Sequence, residues 1–173
     1  VTIILGYDPT TLREKVDLQA ASARLDELGE LRNLESLNEK ATLLRLVGRL
    51  DDALGIANEA VRQCRFRGDR EELLRARIRR AQVQHFMGKL DAALIEFSDC
   101  VVEAHAHDWA STEAFALQHR GKVLFEQQEY APALRDFRGA LTIRVRIKAS
   151  SEQVDSSMIA IAVAESFLDG GEA

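Results

Sequence analysis

A forty-residue echo constrains this chain more than any other feature of its sequence. Gly48-Arg49-Leu50-Asp51-Asp52-Ala53-Leu54 returns as Gly88-Lys89-Leu90-Asp91-Ala92-Ala93-Leu94, and in worn form as Gln128-Glu129-Tyr130-Ala131-Pro132-Ala133-Leu134. The correspondence extends past the turn to Ala57, Phe97 and Phe137, then to Ala60, Cys100 and Ala140. Upstream it includes Ala41, Ala81 and Gly121. A fixed period of this size belongs to similar units that stack and bury a continuous core between neighbours.

Each copy reads as a helix, a tight turn and a second helix. Gly48 and Gly88 stop the first helix, because a left-handed residue costs least as glycine. Asp51 and Asp91 are then expected to cap the second, and Pro132 in the first turn of the third copy is welcome where an amide lacks a partner anyway. Ahead of the repeats, Thr10 or Thr11 is read as capping a leading helix from Leu12 to Leu28, which Gly29 ends. Leu12, Val16, Ala20 and Ala23 line one of its faces, and Leu18, Ala21, Leu25 and Leu28 a second. After the repeats, Ser150-Ser151 starts a terminal helix. The expected plan is one domain over 1–173, with a tail over 1–9 and a leading helix over 10–30. Three repeats follow over 31–68, 69–108 and 109–148, then a terminal helix over 150–169. About eight antiparallel helices with short connections leave no place for a sheet, so the fold class is all-α.

Composition narrows the function. A net charge of −5 argues against generic nucleic-acid or anionic-membrane binding. No segment approaches a membrane span, and Val1-Thr2-Ile3-Ile4-Leu5 lacks the basic lead-in of a signal peptide, so a cytoplasmic location is expected. Cys64 and Cys100 are too few and too far apart for a disulfide framework or a zinc site, and read as buried thiols. The arginine run Arg62, Arg65, Arg67, Arg70, Arg75, Arg77, Arg79 and Arg80 is interleaved with Asp69, Glu71 and Glu72 and reads as a solvated helix end. Lys40, Arg80 and Arg120, one per repeat, are expected to form a ladder meeting Glu59 and Asp99. His105 and His107 lie about 200 degrees apart on a helix and cannot share a metal. Cys100 falls at a small buried position, without an activating base. No phosphate loop, paired-carboxylate motif or metal spacing is present, so neither catalysis, metal nor cofactor is expected.

The element Ala53-x3-Ala57, Ala93-x3-Phe97 and Ala133-x3-Phe137 resembles the tetratricopeptide repeat, as do the small residues Ala41, Ala81 and Gly121 of each first helix. The likeness covers about Leu34 to Lys148 and is to a longer variant, with a repeat of about 40 residues against thirty-four in the commonest form. The resemblance implies a right-handed α-α superhelix whose first helices line a concave, peptide-binding groove. Carried over position by position, its stripe is Glu35, Asn38, Thr42 and Arg45, then Arg75, Ile78, Gln82 and His85, then Phe115, Gln118, Lys122 and Phe125. Within it, Arg45, Arg75 and Lys122 with the aromatic anchors Phe115 and Phe125 would suit a protein segment carrying carboxylates and a bulky apolar residue. The plainer alternative is a solvated open face, which any solenoid must have. Function is therefore expected to be a non-catalytic protein-binding scaffold. A ligand-sensing domain of a bacterial signalling or transcription regulator is the alternative, as is a self-associating module. For the last, the terminal helix 152–168 is apolar almost all round at Met158, Ile159, Ala160, Ile161, Ala162, Val163 and Ala164, so a homodimer through it is open.

Overall fold

The computed structural model describes residues 2–170; Val1 and residues 171–173, including the Gly171 expected to help end the last helix, lie outside the described residues. Among the described residues the fold is all-α apart from one small hairpin. Its elements are β1 (Ile4–Tyr7), β2 (Glu14–Val16), α1 (Leu18–Leu28), α2 (Leu34–Leu46), α3 (Leu50–Arg67), α4 (Arg70–Phe86), α5 (Leu90–Ala106), α6 (Ala110–Glu126), α7 (Tyr130–Arg146) and α8 (Ser151–Asp169).

The cadence of the helices is twenty residues, half the sequence repeat. Left-handed residues stand at Gly48, Gly68, Gly88, Asp108, Gln128 and Lys148, each between two helices. At five of these turns the next amide bonds to the carbonyl five residues back: Arg49 to Leu44, Lys89 to Gln84, Trp109 to Ala104, Glu129 to Leu124 and Ala149 to Arg144, at 2.9 to 3.0 Å. This closure satisfies a carbonyl that the helix end would leave bare. It also shortens the connection, which corrects the expected aspartate caps. α3 starts at Leu50 with Arg49 at its cap position and no side-chain bond there, so Asp51 and Asp52 lie within the first turn. Asp91 holds the same place in α5. Both still face the positive end of the helix dipole. Side-chain caps occur where the turn is looser: Asp17 accepts from the Ala20 amide, Asn33 from Ser36, Asp69 from Glu72 and Ser150 from Gln153.

The leading helix is shorter than expected, and the tail is not a tail. α1 begins at Leu18, while residues 14–16 pair antiparallel with 4–7. The Asp17 cap overrides the helical spacing of Leu12 and Val16, and strand pairing sends Val16 and Ile3 onto Ala21, Leu28 and Leu43. Thr10 and Thr11 therefore sit in the hairpin tip, and Asp17 takes the cap of α1.

Contacts group the chain, read as one domain above, into two compact units: Val1–Asp8 with Arg13–Lys89, and Pro9–Leu12 with Leu90–Ala173. In the first unit α2 packs on α3, and α3 on α4, around Leu37, Ala60, Val61, Cys64 and Ala76. In the second, α5 to α8 stack in chain order. Its core runs through Ala114, Leu117, Ala140 and Ile143, and then through Phe125, Ala133, Leu134, Phe137, Ala160 and Ala164. The expected ladder of cations is not formed as drawn. Lys40 donates to the Gly29 and Leu31 carbonyls (2.5 and 2.7 Å) and so stitches the turn before α2. Glu59 pairs with Arg32, and Arg120 with Asp136 at 2.7 and 2.8 Å. Lys40 and Arg120 thus meet carbonyls and an acid other than Glu59 and Asp99.

Candidate binding surface

The first unit holds an open cleft of about 610 Å³ lined by Leu34, Glu35, Asn38, Glu39, Thr42, Arg67, Glu72 and Arg79. Asn38 and Thr42, two of the expected binding residues, face it from α2, with Glu35 beside them. The Thr42 hydroxyl is spent locally, donating to the Asn38 carbonyl at 3.1 Å. The Asn38 side-chain oxygen is buried and has no hydrogen-bond partner. A buried acceptor left bare costs about 1–3 kcal/mol.

On α4 the inward register differs by one residue from the expected stripe. Arg79 faces the cleft, whereas Ile78 is fully buried in the core. The signal was present: Arg75, Arg79 and Gln82 also follow helical spacing. Burial holds the Arg79 guanidinium below its ordinary pKa, with Arg75 adding to that, while Glu72 opposes them. Glu72 and Arg67 reach the cleft from the solvated arginine run and were not singled out by the sequence.

The rest of the expected set is dispersed. Arg45 is buried and pairs with Glu14 of β2 at 3.3 Å, the side chains only 4% and 7% exposed. Its guanidinium also lies over the Phe86 ring at 4.5 Å, and Arg13 lies over the same ring at 4.6 Å. Gln82 and His85 are buried, His85 with its ring edge-on to Phe86 at 5.6 Å. Arg75 is half-buried and pairs with Glu71 at 3.5 Å along its own helix. In the second unit, Phe115 meets His119 edge-on at 5.1 Å and Lys122 is buried. The Gln118 side-chain oxygen accepts from the Ser157 hydroxyl at 2.7 Å and from Arg144 at 3.4 Å. Phe125 is buried against Tyr130 and Phe167. Gln118 and Phe125 were expected on an open groove; α8 stacks over that face of α6 and turns them into packing residues. Arg45 and Lys122 are thus buried rather than open, each within its own unit.

Helix hairpins stacked on a regular cadence, with a polar cleft along their inner side chains, define a helical-repeat protein. No protein-family model matches the chain, and no curated protein matches it. Among solved structures it is similar to BtubC (BKLC) from P. vanneervenii, at 16% identity and a TM-score of 0.62, over 88% of this chain and 67% of that one. It also matches the MamA RS-1 ArsTM double mutant at 14% identity and a TM-score of 0.47, over 86% of this chain and 87% of that one. The first likeness bears on the fold alone, and the second is too loose to add to it. Among the described residues, no helix is long and apolar enough to cross a membrane.

Proposed function

We propose that this chain is a non-catalytic scaffold on a tetratricopeptide-like frame that holds an extended protein segment in the cleft of its first unit. The observation that carries the reading is an open, polar cleft into which Asn38 and Thr42 of α2 and Arg79 of α4 project together. The Asn38 side chain, an amide at the wall of the cleft, would exchange hydrogen bonds with a peptide backbone whatever the peptide's sequence. Arg67 and Arg79 would then select carboxylates, while Glu35, Glu39 and Glu72 limit how many are tolerated. The helices hold these side chains in place beforehand, so little ordering entropy is lost on binding.

The test is a peptide array probed with the intact chain, followed by titration of the tightest binder against Asn38→Ala. At least a tenfold loss of affinity with no loss of thermal stability is expected. Equal binding by the variant, or no peptide bound at micromolar chain, overturns the reading.

The outer face of α8 favours a second reading, self-association. Met158 and Ile159 are 55% and 42% exposed there, whereas Ala160 and Ala164 are buried. Sedimentation as a monomer at tens of micromolar would remove it.

A further inference from the structure

The core of the second unit contains a residue from near the start of the chain. Leu12, 1% exposed, sits among Phe125, Ala133, Leu134, Phe137, Ala160 and Ala164, side chains of α6, α7 and α8. Three features set it apart from its neighbours. Its φ is +58, in the left-handed region that a leucine rarely adopts, so the backbone is bent to deliver the side chain. Pro9, Thr10 and Thr11 just before it are exposed, so the tip buries one side chain and little else. Beside it a space of about 300 Å³ stays open, lined among others by Thr10, Thr11, Phe125, Tyr130 and Phe167. Phe125 belongs both to this space and to the socket that holds Leu12.

The tip is carried on a weak element. β1 and β2 have four and three residues, and their register breaks between Ile4 and Gly6. A two-stranded hairpin is marginal by itself, so this one depends on its contacts with the rest of the fold. One of its holds, Glu14 to Arg45, has donor–acceptor distances of 3.3 and 3.4 Å, long for a charge-assisted bond. If the hairpin lifts, Arg45 gains water rather than remaining buried and bare, so release avoids the large penalty of a broken buried ion pair.

We propose that residues 9–12 are a displaceable plug, and that the apolar socket they fill takes in trans a protein segment presenting a leucine with a second apolar side chain beside it. The incoming leucine replaces Leu12 among Phe125, Leu134 and Phe137. The second side chain enters the open space against Tyr130 and Phe167, whose ring centroids lie 5.1 Å apart. Here the occupant would gain contacts that the plug leaves unmade, which is what lets it compete with a tethered rival. Exposed Gln128 at the rim offers a polar partner to its backbone. The proposal rests on the reading of the chain as a binding scaffold. It uses a surface separate from the Asn38 cleft, so either can fail while the other stands.

The probe is a fluorescein-labelled peptide with the sequence of Tyr7 to Glu14, titrated by anisotropy into the intact chain and into the full-length Leu12→Asp variant. The variant is expected to bind at least tenfold more tightly than the intact chain, because its socket is vacated. A peptide carrying Asp in place of its leucine is expected to bind neither, and one carrying Phe in place of the threonine before the leucine to bind the variant more tightly still. Equal affinity for both chains, or no binding to a folded variant, overturns the proposal. Should the variant lose its helical circular dichroism, hydrogen exchange on the intact chain decides. The Asp8 amide, bonded to the Arg13 carbonyl inside the hairpin, is expected to exchange at least a hundredfold faster than the Phe137 amide of α7. Equal protection would make the tip a fixed part of the core and end the proposal.

Discussion

The turns of the first unit and those of the second adopt one backbone conformation with different residues. Gly48, Gly68 and Gly88 have φ of 80, 77 and 78, while Asp108, Gln128 and Lys148 have 56, 64 and 53. The closing bonds are the same in kind, for instance Lys89 to Gln84 at 3.0 Å and Glu129 to Leu124 at 2.9 Å. The geometry is therefore imposed by two helices that must fold back and pack, and glycine only removes the strain of meeting it. That explains how the sequence echo fades in the third copy while the helix cadence does not.

A second contrast concerns the helix crossings. In the hairpin of α2 and α3 the corresponding positions are Ala41 and Ala57, both buried. In the hairpin of α6 and α7 they are Gly121 and Phe137, and a Cβ on Gly121 would lie 2.6 Å from the Phe137 ring. The first unit fills its crossing with two small side chains; the second fills it with one large side chain and none.

Breaking that second contrast should have the largest effect. Phe137→Ala is expected to destabilise the chain by about 3–5 kcal/mol, through lost burial and the cavity left behind. Gly121→Ala should cost about 1–3 kcal/mol from overpacking, both changes read as shifts in urea midpoint. In the Phe137→Ala background the added methyl should cost nothing further, since the ring it strikes is gone; additive losses would refute the contact as the cause. The turns come next. Gly88→Ala should destabilise by about 1 kcal/mol, and Gln128→Gly should stabilise by a few tenths, the relief of left-handed strain being partly offset by a freer unfolded chain. A Gln128→Gly variant less stable than the parent would show that the turns differ in more than strain.

The smallest effect concerns the buried thiol of the first unit. Burial pushes the Cys64 pKa up, and Glu72 and Asp69 add to it. The folded chain then keeps the proton at a pH where the unfolded chain loses it, so the contribution is intact below the ordinary thiol range. Stability declines as pH rises from that range through the raised folded value. A urea midpoint that stays flat or rises across pH 8 to 10 in the wild type, relative to Cys64→Ala, would contradict this.

Most of the helices were legible because apolar spacing and turn residues act over a few positions. The end of α1 at Gly29 and the start of α8 after Ser150 follow from the same local chemistry. The candidate site was legible only in part. Asn38 and Thr42 face a cleft, as their place on α2 suggested, but Arg79 took the position assigned to Ile78, a one-residue difference in register that spacing alone does not resolve. Gln118 and Phe125 could not be read as core, because what covers them is α8, and sequence spacing does not say which neighbour stacks on which face.

What the sequence determined by itself is the repeat and the class of fold it entails. A forty-residue period of small, apolar and turn-forming residues specifies paired helices, and local hydrogen bonding and burial are enough to place most of them. Tertiary structure decided which inner side chains stay open. Residues 12–16 carry a helical spacing that reads as part of α1, yet Leu12 lies in a socket built by α6, α7 and α8, and Glu14 pairs with Arg45 of α2. Those partners are distant in sequence, and only when the chain is folded does burying Leu12 outweigh the helix its neighbours would otherwise have continued.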